Sequence, residues 1–315
     1  MTATESPAAA RRRRGPGARE RAPKPPVGRR WRLRGPLLPA LLLVVVLTQL
    51  PFVATVYYSF QDRNLLRPDQ SGWAGFENYV SVFGDAHFRG AVLNTVLLTA
   101  TVVVCSMLLA IALAVLLDQK FAGRSIVRTL LITPFLVMPA AAALIWKHAM
   151  FNPLFGMLNW ALSPFGVERV DWASEHPMFS LILMLTWQWT PFMMLIVLAG
   201  LQSQDTEILE AARVDGAGPF RVFWSITFPQ LRRFIELAIL LGSIFIVQTF
   251  DPIYLITQGG PGQATTNLPY FIYQRTFRAF EVGEAAAAGV VVVVCTIVIA
   301  TFALRWFASM FREEK

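Results

Sequence analysis

The sequence predicts an all-α, polytopic membrane bundle of six spans, and three observations predict it. Hydrophobic residues make up 55% of the chain and charged residues only 15%, where soluble domains carry about a quarter charged residues. Apolar runs long enough to cross a bilayer recur along the sequence. Lysine and arginine are also unevenly placed, with 11 of the 28 in residues 1–34.

Taken in order, residues 1–34 form a basic tail rich in Ala, Arg, Pro and Gly, expected to be disordered and retained rather than cleaved as a leader. The first, peripheral span falls in 35–60, with Pro51 inside it, and a polar outer loop occupies 61–90. Trp73, Phe76, Tyr79 and Phe83 recur there every three or four residues, the rhythm of a short amphipathic helix at a membrane surface. A core of five spans fills 91–308, at about 91–117, 125–146, 179–201, 234–257 and 284–307. The third span contains Pro134 and Pro139, and residues 309–315 end the chain. Trp146, Trp160 and Trp172 suit an interfacial aromatic belt.

Topology follows from the cations. If the tail is cytoplasmic, 21 of the 28 lysines and arginines lie on that side, and the positive-inside rule places both ends within the cell. A basic tail directly before a span reads as a topology signal and an anionic-lipid contact, not as a nucleic-acid site.

Several chemistries are missing. The chain has no GxxxxGK[ST] phosphate loop, so an enzymatic ATPase reading finds no support. His87, His148 and His176 are scattered, and Cys105 and Cys295 sit in apolar runs, so no metal site or disulfide framework is expected. The middles of the spans hold almost no ionisable side chains, which disfavours a proton-coupled carrier.

Polar and aromatic side chains gather on two spans. In the fourth, Leu185, Gln188, Trp189 and Phe192 share a helix face; in the fifth, Phe245, Gln248, Thr249 and Pro252 do, with Asp251 one step away. Amides and hydroxyls can hydrogen-bond sugar hydroxyls, and flat rings can pack on the apolar face of a pyranose. The same residues also suit helix–helix packing.

One long, polar, well-patterned segment between spans is 207–233, EILEAARVDGAGPFRVFWSITFPQLRR. It reads as two short helices broken at Gly216 and Gly218-Pro219, the second covering about 220–227. Glu210, Ala211 and Ala212, then Asp215-Gly216, then Ile226 and Pro229, follow a spacing that resembles the cytoplasmic EAA loop of permease subunits of binding-protein-dependent ABC importers. Phe228 stands where the family usually has leucine. A second EAA, Glu284-Ala285-Ala286, lacks the spacing and reads as plain helix.

Three further stretches, GFENYVSVFGDAHFRGAVLNT, IWKHAMFNPLFGMLN and TQGGPGQATTNLPYFIYQRTF, are similar to the carbohydrate-importing branch that includes the larger maltose-permease subunit. The wording of the last leans toward polyol or monosaccharide importers. With six spans and a short first outer loop, the chain departs from the eight-span maltose subunit, so that protein's large outer domain is not carried over.

The resemblance implies a type I ABC importer permease fold in a bacterial inner membrane. It implies a second homologous permease, an ATPase dimer that binds ATP and Mg, an extracellular solute-binding protein, and a sugar or polyol as substrate. On this footing Glu210, Ala211, Ala212, Asp215, Gly216, Ile226 and Pro229 couple to the ATPase. Gln188, Trp189, Phe192, Phe245, Gln248, Thr249 and Asp251 face the substrate. A stand-alone carrier or channel, and a membrane scaffold that passes no solute, remain alternatives on the residues alone.

Overall fold

The computed structural model describes residues 38–166 and 169–310, without the side chains of Gln70 and 298–310. The basic tail and residues 311–315 lie outside that range. The chain divides into two units at Val53 and Ala54. Residues 38–53 of the first unit are helical and exposed throughout. They are the larger part of α1 (Leu38–Ser59), an apolar helix with Pro51 inside it.

In the second unit, a two-residue hairpin pairs β1 (Gln61–Asp62) with β2 (Gly72–Trp73). Next come α2 (Glu77–Gly84), α3 (Ala86–Asp118), α4 (Arg124–Leu136) and α5 (Pro139–Ile145). Short α6 (Met157–Leu162) and α7 (Trp172–Glu175) lead into α8 (Pro177–Gln202). Then follow α9 (Thr206–Val214), α10 (Pro219–Val222), α11 (Phe228–Val247), α12 (Leu268–Tyr273) and α13 (Val282–Met310).

Helices occupy all six expected spans. Among the described residues α1, α3 and α8 are long and apolar enough to cross a membrane alone, and α4 with α5 forms a bent pair that would be a fourth crossing. The fifth, α11, carries Arg232, Arg233 and Glu236 in its first turns before its apolar run, and α13 is apolar from Val282 to Ile297. Glu284-Ala285-Ala286 lies in the first turns of α13, helical as expected.

The core forms where α3, α8 and α11 pack together. Leu98, Val102, Met107 and Ala110 of α3 meet Leu181, Met184, Met193 and Val197 of α8. Glycine permits the closest approach. A methyl group on Gly200 would lie 2.6 Å from the Phe234 ring, and one on Gly242 would collide with the Met193 side chain. Small residues at helix crossings are the usual means of bringing backbones together in a membrane.

Three expectations need correction. The second span begins at Ala86, not 91, because Asp85 accepts a hydrogen bond from the His87 amide at 2.8 Å and caps the helix earlier. The third span is broken. Pro134 sits within α4, but Val137 and Met138, just before Pro139, adopt extended backbone, and the two halves meet at 100°. The aromatic rhythm of the outer loop does not lie on one helix. Trp73 is on β2 and Phe76 precedes α2; the first stacks on Phe60 and the second meets it edge-on.

One ionic cluster ties distant parts of the sequence together. Arg275 binds Asp85, which caps α3, and also Glu281 at 2.5 Å and Glu284 at 3.4 Å. Glu284 in turn accepts from the Ser81 hydroxyl at 2.7 Å. Burial opposes the charge on Arg275, but its hydrogen bonds to Glu281 and Asp85 outweigh that and raise its pKa. Replacing it with an apolar residue of similar length leaves three carboxylates facing one another. Arg275→Met should therefore destabilise the protein by about 1.5–3 kcal/mol, read as a lower unfolding temperature in detergent.

Candidate solute pathway and coupling hook

Two helix breaks face the same stretch of α8. The first is the Val137–Met138 kink between α4 and α5. The second follows α11, which ends at Gln248 before the chain resumes as a π turn over Ile253–Thr257. In a membrane core a broken helix exposes backbone groups that lipid cannot satisfy, so donors must come from the protein. Gln188 on α8 donates its side-chain amide to the Val137 carbonyl at 3.3 Å. Asn267, 1% exposed, donates to the Thr249 carbonyl at 2.6 Å. The same Asn267 accepts from the Tyr270 amide at 3.1 Å and so caps α12.

Between these breaks lies a cavity of about 180 Å³ lined by Pro139, Leu185, Gln188, Trp189, Phe245, Gln248, Thr249, Phe250, Asp251 and Pro252. Six of the seven expected substrate residues line it. The exception is Phe192, which stands behind the wall, its ring against Trp189 and Phe245 at 5.9 Å each and stacked on Phe135 at 5.3 Å. Trp189 and Phe245 lie nearly parallel, 15° apart at 5.5 Å. Phe245 remains 48% exposed, so its ring keeps a free surface.

Pro139 and Phe250 also line the cavity and were not expected from the sequence. Proline's preference for the first helical position was the only signal for Pro139. Asn267 was missed as well, because its partner carbonyl lies 18 residues away.

The second region is the polar segment between α8 and α11. Asp205 opens α9 by accepting from the Glu207 amide at 3.0 Å, and Gly216 closes it at φ +81°. That left-handed conformation suits glycine because no Cβ meets the preceding carbonyl. Glu210, Ala211 and Asp215 are exposed, and Ala212 is half-buried. The second helix does not stop at residue 227. It runs from α10 through a π turn at Phe223–Thr227 straight into α11, with Ile226 in the turn and Pro229 just beyond it.

Pro229 has no N–H for the carbonyl four residues back, and a π turn just ahead of it accommodates the mismatch without ending the helix. Gln204, just beyond α8, donates to the Thr227 carbonyl at 3.0 Å. The hook therefore continues without interruption, from Pro219 to Val247, into the helix that ends at the cavity.

Residues 38–313 match the family described as binding-protein-dependent transport system inner membrane component. The chain belongs to that family. The permease is 34% identical over 264 residues to a probable ABC transporter permease protein, y4oQ, of Sinorhizobium fredii, covering 83% of this chain and 85% of that one. It is 30% identical over 281 residues to the trehalose/maltose transport system permease protein MalF of Thermococcus litoralis, covering 88% and 93%. It is 33% identical over 271 residues to the sulfoquinovosyl glycerol transport system permease protein SmoG of Agrobacterium fabrum, covering 85% and 88%. A bacterial ABC transporter involved in the import of the acidic polysaccharide alginate shares the fold, with a TM-score of 0.76 at 24% identity, covering 89% of the permease and 96% of that chain.

Because Asn267 serves two backbone groups, its two roles can be separated. Asn267→Ala should cost the permease about 1–3 kcal/mol, read by thermal unfolding in detergent. Asn267→Asp keeps the cap acceptor but gives up the donor to Thr249, and should still lose more than half of that stability.

Proposed function

We propose that the permease is one of two homologous membrane subunits of an ATP-driven carbohydrate importer, and that its cavity holds the sugar or polyol during passage. The observation that carries this reading is the continuous helix from Pro219 to Val247, which joins the exposed hook at one end to the cavity at the other. The cavity supplies the two chemistries a sugar needs, amide and hydroxyl groups from Gln188, Gln248 and Thr249 and ring faces from Trp189 and Phe245. Relatives named for trehalose/maltose and for sulfoquinovosyl glycerol support the carbohydrate class.

The hook, the basic tail and the C-terminal end are assigned to the cytoplasm on the cation bias. ATP and Mg are bound by the partner ATPase, and this chain acts as a non-catalytic subunit. Around the hook, Ile208, Val214, Phe220 and Trp224 are each 47% to 88% exposed, an apolar surface suited to a protein partner. Glu210 offers a carboxylate to that partner, while Ala211 and Ala212 allow close approach.

In the cycle we propose, the binding protein delivers solute from outside and ATP closes the ATPase pair around the hook. The hook then swings the helix of α10 and α11 and rearranges the two breaks, giving alternating access.

Gly216→Val forces a β-branched residue into a left-handed conformation at a cost of roughly 1–2 kcal/mol and reorients α9. In the reconstituted transporter, uptake should fall at least tenfold relative to ATP hydrolysis, with membrane insertion unchanged. Unchanged uptake per ATP would remove the hook from the mechanism.

A further inference from the structure

The cavity between the helix breaks carries one kind of charge. Asp251 is the single ionisable residue in its lining, and the other nine lining residues are uncharged. No hydrogen bond or ion pair of the Asp251 side chain occurs among the described residues. Lys147, on the π turn that follows α5, is not part of the lining, and its ammonium is held by the Leu255 carbonyl at 2.7 Å. The acid thus stands half-buried in the lining it shares with Trp189 and Phe245, with its acceptor oxygens free.

We infer that Asp251 makes this cavity selective against anions, so that the solute carried is an uncharged sugar or polyol whose adjacent hydroxyls donate to the carboxylate. The inference rests on the carbohydrate reading above and narrows it. A carboxylate accepts two hydrogen bonds at the spacing of a vicinal diol, and bonds to a charged acceptor are stronger than bonds to an amide. The same charge repels a uronate, sulfonate or phosphate in a site partly withdrawn from water, where like charges act at reduced dielectric. Trp189 and Phe245 bring aromatic faces that receive the C–H face of the same sugar, and these do not depend on its charge. Asp251 opens the helical turn that resumes directly after the second helix break. Closing or opening the break would therefore move the carboxylate with it.

The test uses the complete transporter, with its second permease and ATPase, purified in detergent without the binding protein, so that only the membrane site selects. Tryptophan fluorescence is titrated with matched pairs: glucose against glucuronate, maltose against maltose 6-phosphate, and sorbitol against sorbitol 6-phosphate. The neutral member of at least one pair should bind at least tenfold more tightly than its anionic partner, a difference of about 1.4 kcal/mol. Asp251→Asn should reduce that ratio at least tenfold, and Asp251→Glu should retain it. A wild-type transporter that binds both members equally, or an Asp251→Asn ratio that does not change, overturns the inference and leaves the carbohydrate reading in place. If no member of any pair binds, the carbohydrate reading fails, and the inference fails with it.

Discussion

Interrupted backbone hydrogen bonding inside an apolar bundle is the constraint that organises this permease. Each unpaired peptide group in a membrane core costs several kcal/mol, so a helix can break only where a side chain or a polar cavity meets the freed groups. Gln188 meets the Val137 carbonyl and Asn267 meets the Thr249 carbonyl. The polar side chains that stabilise the breaks also gather polar groups around the cavity between them. On the proposed carbohydrate reading, structural need and solute recognition converge on one stretch of α8 and its neighbours.

The same constraint explains why the hook and the cavity are mechanically joined. Pro229 would end many helices, but the π turn at Phe223–Thr227 absorbs its missing donor and lets the helix continue. Close packing of Gly200 and Gly242 against Phe234 and Met193 seats α11 on α8 with little room to deform. In the proposed cycle a displacement at the hook is carried along the helix toward the break after Val247, where Gln248 is exposed and Thr249 half-buried. The Arg275 cluster joins α3, the segment before α13 and α13 itself, giving these elements a common anchor.

Much of this was legible in the sequence wherever the determinant was local. The spacing from Glu210 to Pro229 marked the hook, and Gly216 occupies the left-handed position its place after α9 called for. Helical periodicity placed Gln188 and Trp189 on one face and Phe245 and Thr249 on another, and the structure brings those faces together. What escaped was set by pairs of residues far apart or by choices between prolines. Pro134 stays in a helix while Pro139 follows a break, and the donor that meets the Val137 carbonyl there comes from Gln188, far away in sequence. The Arg275–Asp85 pair spans 190 positions, and nothing in either neighbourhood announces the other. The π turns left no common pattern, since their residues range from the apolar IYLIT to the polar QRTFR.

The central claim is that a stiff helix carries motion from the hook to the cavity. Its most direct test is a pair of spin-label distances in the reconstituted transporter, nucleotide-free and ATP-trapped. Labels at positions 220 and 247 lie along the helix, about 40 Å apart at 1.5 Å per residue, and labels at 138 and 248 lie on the two breaks. The account predicts that the first distance stays the same while the second changes between states. A first distance that shortens or broadens, with the second fixed, would contradict it.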